Sequence, residues 1–491
     1  MNGVGAAPAL EGAGIVLSRS VLADAVARAR ASLAAPADDG ARFALLADNG
    51  IDWAIGSLAL HESRAPNVPL PQWFTNTQLR QVLDQAGVDV VLTDDPARVL
   101  ALDLAFTLAG VLPASGLMRL RRASSDARRP SLPRGTTKVT FTSGSTGTPK
   151  GVCLSAAALE AVAASLAEVT RPLGARRHRS LLPLATLLED VASLLPAPRA
   201  GACSVLPPLR ETGVGFGGLD VPALLGCIAR HQPESMILVP ELLRVLVAAA
   251  ARGWRAPDSL RFIAVGGAAV AASLLERAAA LGLPVYEGYG LSECGSVVAL
   301  NAPGAERRGS AGRVLPHARV RIDAAGEVRV GGAGFLGYLG DAASCEAASG
   351  EVATGDLGEL DAEGFLHIRG RAKNLLITSL GRNVSPEWVE RELLADAAIG
   401  QAVAIGEARP FLAALLVASR PEVPDGQLAA AVAAANARLP EHARLRRWAR
   451  LREPLSFADG SLTANGRVRR EVVVQRHASL LDSIYGQAIA S

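Results

Sequence analysis

Apolar positions along this chain change their period several times, and each change marks an element. Phe43-Ala44-Leu45-Leu46 is a short unbroken apolar run, which predicts a buried strand, as do residues 88–92. Between them, Thr75 and Gln78 precede Leu79, Val82 and Leu83. That spacing predicts a capping box opening an amphipathic helix. Such alternation predicts an α/β layered domain. From residue 150 to 300, Ala- and Leu-rich helical stretches alternate with short strands such as Phe262 to Val265. From 309 to 370 the period becomes two, in Ala318-Arg319-Val320-Arg321-Ile322 and Glu327-Val328-Arg329-Val330. After Gly370-Arg371, Ser385-Pro386-Glu387 predicts an N-cap, a proline at the first helical position and an acidic first turn. The roughly 120 residues that follow residue 371 suit a small α+β domain. Residues 121–135, rich in Arg, Ser and Pro, predict a solvated loop.

Composition narrows this. A chain of 491 residues exceeds one compact core, so two or more domains are expected. A net charge of +3 gives no reason to expect nucleic acid as a partner. The longest apolar stretch, residues 235–251, is broken by Pro240, Glu241 and Arg244, so no transmembrane segment is expected. The five cysteines, at 153, 203, 227, 294 and 345, form no Cys-x-x-Cys pair, which predicts reduced thiols in a cytoplasmic protein. No basic stretch leads into an apolar one at the N-terminus, so no signal peptide is expected.

The chemistry concentrates in Thr140-Phe141-Thr142-Ser143-Gly144-Ser145-Thr146-Gly147-Thr148-Pro149-Lys150-Gly151. It holds six Thr or Ser hydroxyls, three Gly and one Lys between two β-type runs. Glycines let backbone N–H groups turn toward an anion, and the hydroxyls and lysine add donors and charge. This is a phosphate cradle without the Gly-Lys-Ser/Thr and following helix of a Walker loop.

The segment resembles the phosphate loop of the adenylate-forming superfamily, which includes acyl-CoA synthetases, luciferases and peptide-synthetase adenylation domains. Other motifs follow in the same order. Gly266-Gly267-Ala268 resembles the adenine-side loop, and Tyr289-Gly290-Leu291-Ser292-Glu293 the Tyr-Gly-x-Thr-Glu motif. Thr354-Gly355-Asp356 resembles the ribose motif, Gly370-Arg371-Ala372-Lys373 the interdomain hinge, and residues 463–470 the C-terminal catalytic loop. The resemblance implies a large multi-part N-terminal domain, residues 1–371, and a small mobile C-terminal domain, residues 372–491, that turns about the hinge.

It also implies an ATP-dependent, AMP-forming ligase, most like a medium- or long-chain fatty acyl-CoA synthetase. ATP, Mg²⁺ and CoA are its expected ligands, with carrier-protein phosphopantetheine as the alternative acceptor. Thr142, Ser143, Gly144, Ser145, Thr146, Gly147 and Lys150 are expected to receive phosphates. Tyr289 is expected to stack on adenine beside Gly290. Asp356, an acceptor-only side chain, suits the ribose hydroxyls, with Arg371 as a second contact. Glu293 suits Mg²⁺, which is commonly held by one carboxylate plus phosphate oxygens. Ser292 replaces the commoner Thr and keeps its hydroxyl. Gly381 is expected to line the thiol tunnel.

Two departures stand out. Arg467 occupies the position where the family usually has a lysine bridging carboxylate and α-phosphate. Arginine is cationic and forks onto both groups, but it is bulkier and planar. A homologue impaired in catalysis is the alternative that this substitution supports. Thr186, in Leu-Pro-Leu-Ala-Thr, stands where long-chain enzymes often place His.

Overall fold

The computed structural model describes residues 7–34, 40–123, 129–142, 150–215, 218–332, 334–341, 343–344, 350–379, 382–456, 459–462 and 468–486. Two large sheets dominate. One has nine strands with a parallel centre, in which Val285–Tyr289 pairs with Phe262–Val265, and that with Ser235–Leu238. The other has eight strands. Its parallel centre is Asn67–Pro69, Phe43–Leu46 and Val90–Thr93. On one side Thr136–Thr142 joins in parallel, and Lys150–Ser155 and Phe335–Tyr338 then extend it antiparallel.

Helices fill the space between the sheets. Arg19–Leu33 and Ile51–Glu62 share one apolar cluster with Leu10 of the first sheet and with Phe43, Leu45 and Leu92 of the second. Leu159, Val162 and Leu166 of the helix Ala156–Thr170 join Val152 and Leu154 to Phe262 and Leu300 in another. Each Leu or Phe so buried is worth about 1.5–3 kcal/mol, enough to fix the two sheets relative to each other. A buried ion pair, Lys138 with Asp190, lies in this layer. Losing either partner would strand a charge at a cost of about 3–5 kcal/mol.

A four-stranded antiparallel sheet follows, in the order Arg319–Ile322, Glu327–Gly331, Glu351–Leu360, Leu366–Arg371. The C-terminal part has its own three-stranded sheet. The helices Pro386–Leu394 and Asp425–Arg438 cover one face, and Ala478–Gly486 the other. The chain is thus mixed α/β with a large N-terminal and a smaller C-terminal part. Among the described residues, no helix is long and apolar enough to cross a membrane.

Several expected elements form where the pattern puts them. The Thr75–Gln78 capping box is made in both directions, and Ser385 caps its helix by accepting from the Trp388 amide. The strand expected at 88–92 runs from Val90 to Thr93. The loop expected over 121–135 is corrected at its start. Arg121 and Arg122 finish the strand Met118–Arg122, where Arg122 pairs with Asp84. Further on, Arg129 pairs with Asp89, and the Pro130 carbonyl accepts from Arg42. Ion pairs hold this basic stretch where composition alone suggested solvent.

Candidate active site

The expected site residues come from three sheets, and the described ones gather into two contacting groups. The first centres on Asp356. The Thr354 hydroxyl donates to the Val328 carbonyl (2.8 Å) and accepts from the Asp356 amide (3.0 Å). Gly355 has a φ of +72°, a left-handed conformation that a side chain strains, and its amide donates to Glu327 (2.8 Å). This kink aims the Asp356 side chain at two donors. The Tyr289 hydroxyl donates to Oδ2 at 2.6 Å, and Arg371, opposite Asp356 on the neighbouring strand, places Nε 2.8 Å from Oδ1. Burial, reinforced by the Asp356 charge, pushes the Tyr289 hydroxyl well above its ordinary pKa. It therefore stays a donor.

The second group joins Lys150, Glu293 and Tyr338. The Tyr338 hydroxyl donates to Glu293 Oε1 at 3.0 Å, and Lys150 Nζ lies 5.2 Å from the centre of the Tyr338 ring. Strand register makes this possible, because Tyr338 pairs with Val152, two residues beyond Lys150. Burial and the Glu293 charge push the Tyr338 hydroxyl above its ordinary pKa, so it too remains a donor. Lys150 itself pairs across the hairpin with Thr142, whose hydroxyl is 3.5 Å from the Lys150 carbonyl. Ser143, Gly144, Ser145, Thr146 and Gly147, which that pair brackets, lie outside the described residues. So do Gly381 and Arg467.

Backbone packing sets the rest. A Cβ on Gly290 would lie 1.6 Å from the Ser296 carbonyl oxygen, so only glycine fits between Tyr289 and the 3₁₀ turn Ser292–Cys294. Gly266 follows the strand Phe262–Val265 and comes close to Gly288, where a Cβ would lie 3.1 Å from the carbonyl oxygen. Gly267 and Ala268 are exposed. Cys294 is fully buried, and burial, then the Glu293 and Asp356 charges, raises its thiol pKa well above the ordinary value, so it is no nucleophile. Thr186 turns inward on its own loop, donating to the Pro183 carbonyl at 2.7 Å.

The family assignment rests on the whole chain. AMP-binding enzymes match residues 2–340, and the AMP-binding enzyme C-terminal domain matches residues 373–488. The chain belongs to the AMP-binding enzyme family. A curated relative, the long-chain-fatty-acid–CoA ligase FadD15 of Mycobacterium bovis, is 29% identical, covering 91% of this chain and 88% of the relative. Among solved structures, the anthranilate CoA ligase AuaEII bound to anthranoyl-AMP superposes with a TM-score of 0.77 at 18% identity, covering 100% of this chain and 96% of its own. The O-succinylbenzoate coenzyme A synthetase MenE of Bacillus subtilis, solved with ATP and magnesium ion, gives 0.73 at 24% identity, covering 95% and 96%. These two share the fold of the family member described above.

Tyr338 was not singled out in the sequence. Its signal is faint: two aromatic residues in the strand Phe335–Tyr338, whose partner strand lies far back in the chain. Tyr338→Phe keeps the ring beside Lys150 and removes the hydrogen bond to Glu293. Such a bond is worth about 0.5–1.5 kcal/mol, so KM for ATP is expected to rise about two- to tenfold. Pyrophosphate release against ATP concentration checks this; an unchanged KM in a folded variant would show that the contact does not organise the site.

Proposed function

We propose that this chain is an AMP-forming fatty acyl-CoA synthetase of the cytoplasm, built from a large unit, residues 1–371, and a small unit, residues 372–491. Membership of the AMP-binding enzymes and the similarity to a long-chain-fatty-acid–CoA ligase support the class of reaction. In the first half-reaction a carboxylate oxygen attacks the α-phosphorus of ATP. The bond from that phosphorus to the bridging oxygen breaks, and pyrophosphate leaves. In the second, the sulfur of CoA attacks the acyl carbonyl carbon, AMP leaves and a thioester remains.

The observation that carries this reading is the Asp356 cluster, with Tyr289 and Arg371 on its two oxygens, in a chain that also pairs Glu293 with Tyr338 beside Lys150. Asp356 and Arg371 receive the ribose hydroxyls. The Tyr289 ring, held by its own hydroxyl, offers a face to adenine, with Gly266, Gly267, Ala268 and Gly290 admitting the base by their small size. Thr142, Ser143, Gly144, Ser145, Thr146, Gly147, Lys150 and Ser292 donate to the phosphates. Glu293 fits Mg²⁺, since no cationic side chain of the described residues pairs with it and Tyr338 occupies only one of its oxygens. That ion supplies neutralisation of phosphate charge when bound. Arg467 spans the carboxylate and α-phosphate, where negative charge grows. Gly381 leaves room for the thiol arm.

The test is acid-dependent pyrophosphate release with ATP and Mg²⁺ across fatty, aromatic and amino acids, followed by acceptor choice. Fatty acids are expected to give the highest rate, and CoA to be acylated. A better aromatic or amino acid overturns the substrate class. Acylation of a carrier protein in place of CoA overturns the acceptor. No pyrophosphate with any acid overturns the activity.

A further inference from the structure

The small unit touches the large one at both ends of a single helix, Pro386–Leu394. At its N-terminal end the contact is with the hinge. Ser385 caps the helix, and its hydroxyl sits so close to Gly370 that a Cβ there would lie 2.3 Å from Ser385 Oγ. Gly370 adjoins Arg371, which holds Asp356. At the C-terminal end, the last carbonyls of a helix have no partners within it and carry partial negative charge. Here the large unit supplies the partners. Arg277 Nη1 donates to the Ala395 carbonyl at 2.8 Å, and Arg244 Nη1 lies 3.5 Å from the Leu394 carbonyl. Ala395 is buried in the same apolar cluster as Leu274, Ala278 and Leu283 of the large unit.

A longer-range charge interaction lies one turn back on the same helix. The charge of Arg391 reaches the carboxyl of Glu287, which also accepts from the Val270 amide. Burial pushes that carboxyl up to about 7, and Arg391 pulls against the rise. Glu287 is two residues before Tyr289 on one strand, and Val270 is two residues after Ala268. The grip on the helix is therefore built from the elements that carry the adenine side of the site.

We infer that Arg244 and Arg277 are positioning residues that clamp the C-terminal end of this helix. They hold the small unit in one working orientation and must let go together when it turns about the hinge. The inference rests on the reading above in one respect, that the two half-reactions use different orientations. Both arginines donate to main-chain carbonyls, so the clamp depends on their guanidinium groups and on the helix end, and on no particular side chain at 394 or 395. Its release loosens the backbone of the hinge, where Ala372, Lys373 and Asn374 face solvent.

The test uses the full chain with Arg244→Gln and Arg277→Gln combined, and separately Arg277→Gln alone, which removes the shorter of the two contacts. Trypsin cleavage after Lys373 in the absence of ligands is expected to quicken at least fivefold in both variants at unchanged melting temperature. This measurement needs no catalytic activity, so it separates failure of the clamp from failure of the proposed function. If the double variant melts early, Arg277→Gln decides. In wild-type-like conditions the rates of pyrophosphate formation and of thioester formation from supplied acyl-AMP are expected to shift by factors differing at least fivefold. Hinge cleavage within twofold of wild type, or both half-reactions changing by the same factor, overturns the clamp.

Discussion

Arg467→Ala is expected to slow acyl-AMP formation by about 10²–10³, the usual cost of removing one group that meets charge in the transition state. Thioester formation from ready-made acyl-AMP is expected to persist, because the proposed role of Arg467 is confined to the adenylating half. Its neighbours bear on whether another cation takes over. Arg470 is committed inside the small unit, where it pairs with Glu390 and donates Nε to the Ala404 carbonyl at 3.1 Å. Arg469, among the described residues, is exposed and is the adjacent candidate substitute. Arg467→Lys restores the family's usual residue and is expected to keep or improve the rate. Normal adenylation by Arg467→Ala, with wild type assayed alongside, would move the role to Arg469. Loss of adenylation in Arg467→Ala/Arg469→Ala but in neither single variant would establish that transfer.

Asp356→Ala is the second large effect. Beyond its proposed ribose contact, the carboxylate fixes the Tyr289 hydroxyl and the Arg371 guanidinium. Removing it takes away one charge-assisted hydrogen bond worth about 1.5–3 kcal/mol and loosens two further ligand contacts. KM for ATP is expected to rise tenfold or more, while the protein stays folded. Asp356→Asn keeps an acceptor oxygen and loses the charge, so its KM is expected to fall between wild type and Asp356→Ala. A KM equal to wild type in folded Asp356→Ala would reduce Asp356 to a residue of the strand kink.

What the sequence made legible was local. Capping residues such as Thr75 with Gln78, and Ser385, act within one turn of chain, and period-two alternation over 327–330 needs only the neighbouring strand. The ordered motifs likewise named Tyr289, Glu293, Asp356 and Arg371 before their contacts were known. The unread part was long-range. Nothing local announces that Phe335–Tyr338 joins Lys150–Ser155, or that Arg277 reaches Ala395. Both contacts are set by how layers pack. Arg121 and Arg122 misled for a related reason, since their partners, Asp84 among them, are distant in the chain and composition counts only the charges.

The late position of Tyr338 bears on how the protein is made. Synthesis delivers the N-terminal segment first, while a domain generally folds as a unit. Until residue 335 appears, the outer edge of the strand Lys150–Ser155 has no partner on that side, and Lys150 and Glu293 have no tyrosine between them. An open edge is a template for pairing with another chain. A nascent or truncated product that stops short of residue 335 therefore carries every motif from the phosphate loop to Glu293 and still presents a sticky edge. Truncated chains ending before residue 335 are therefore expected to aggregate rather than act as partial nucleotide binders.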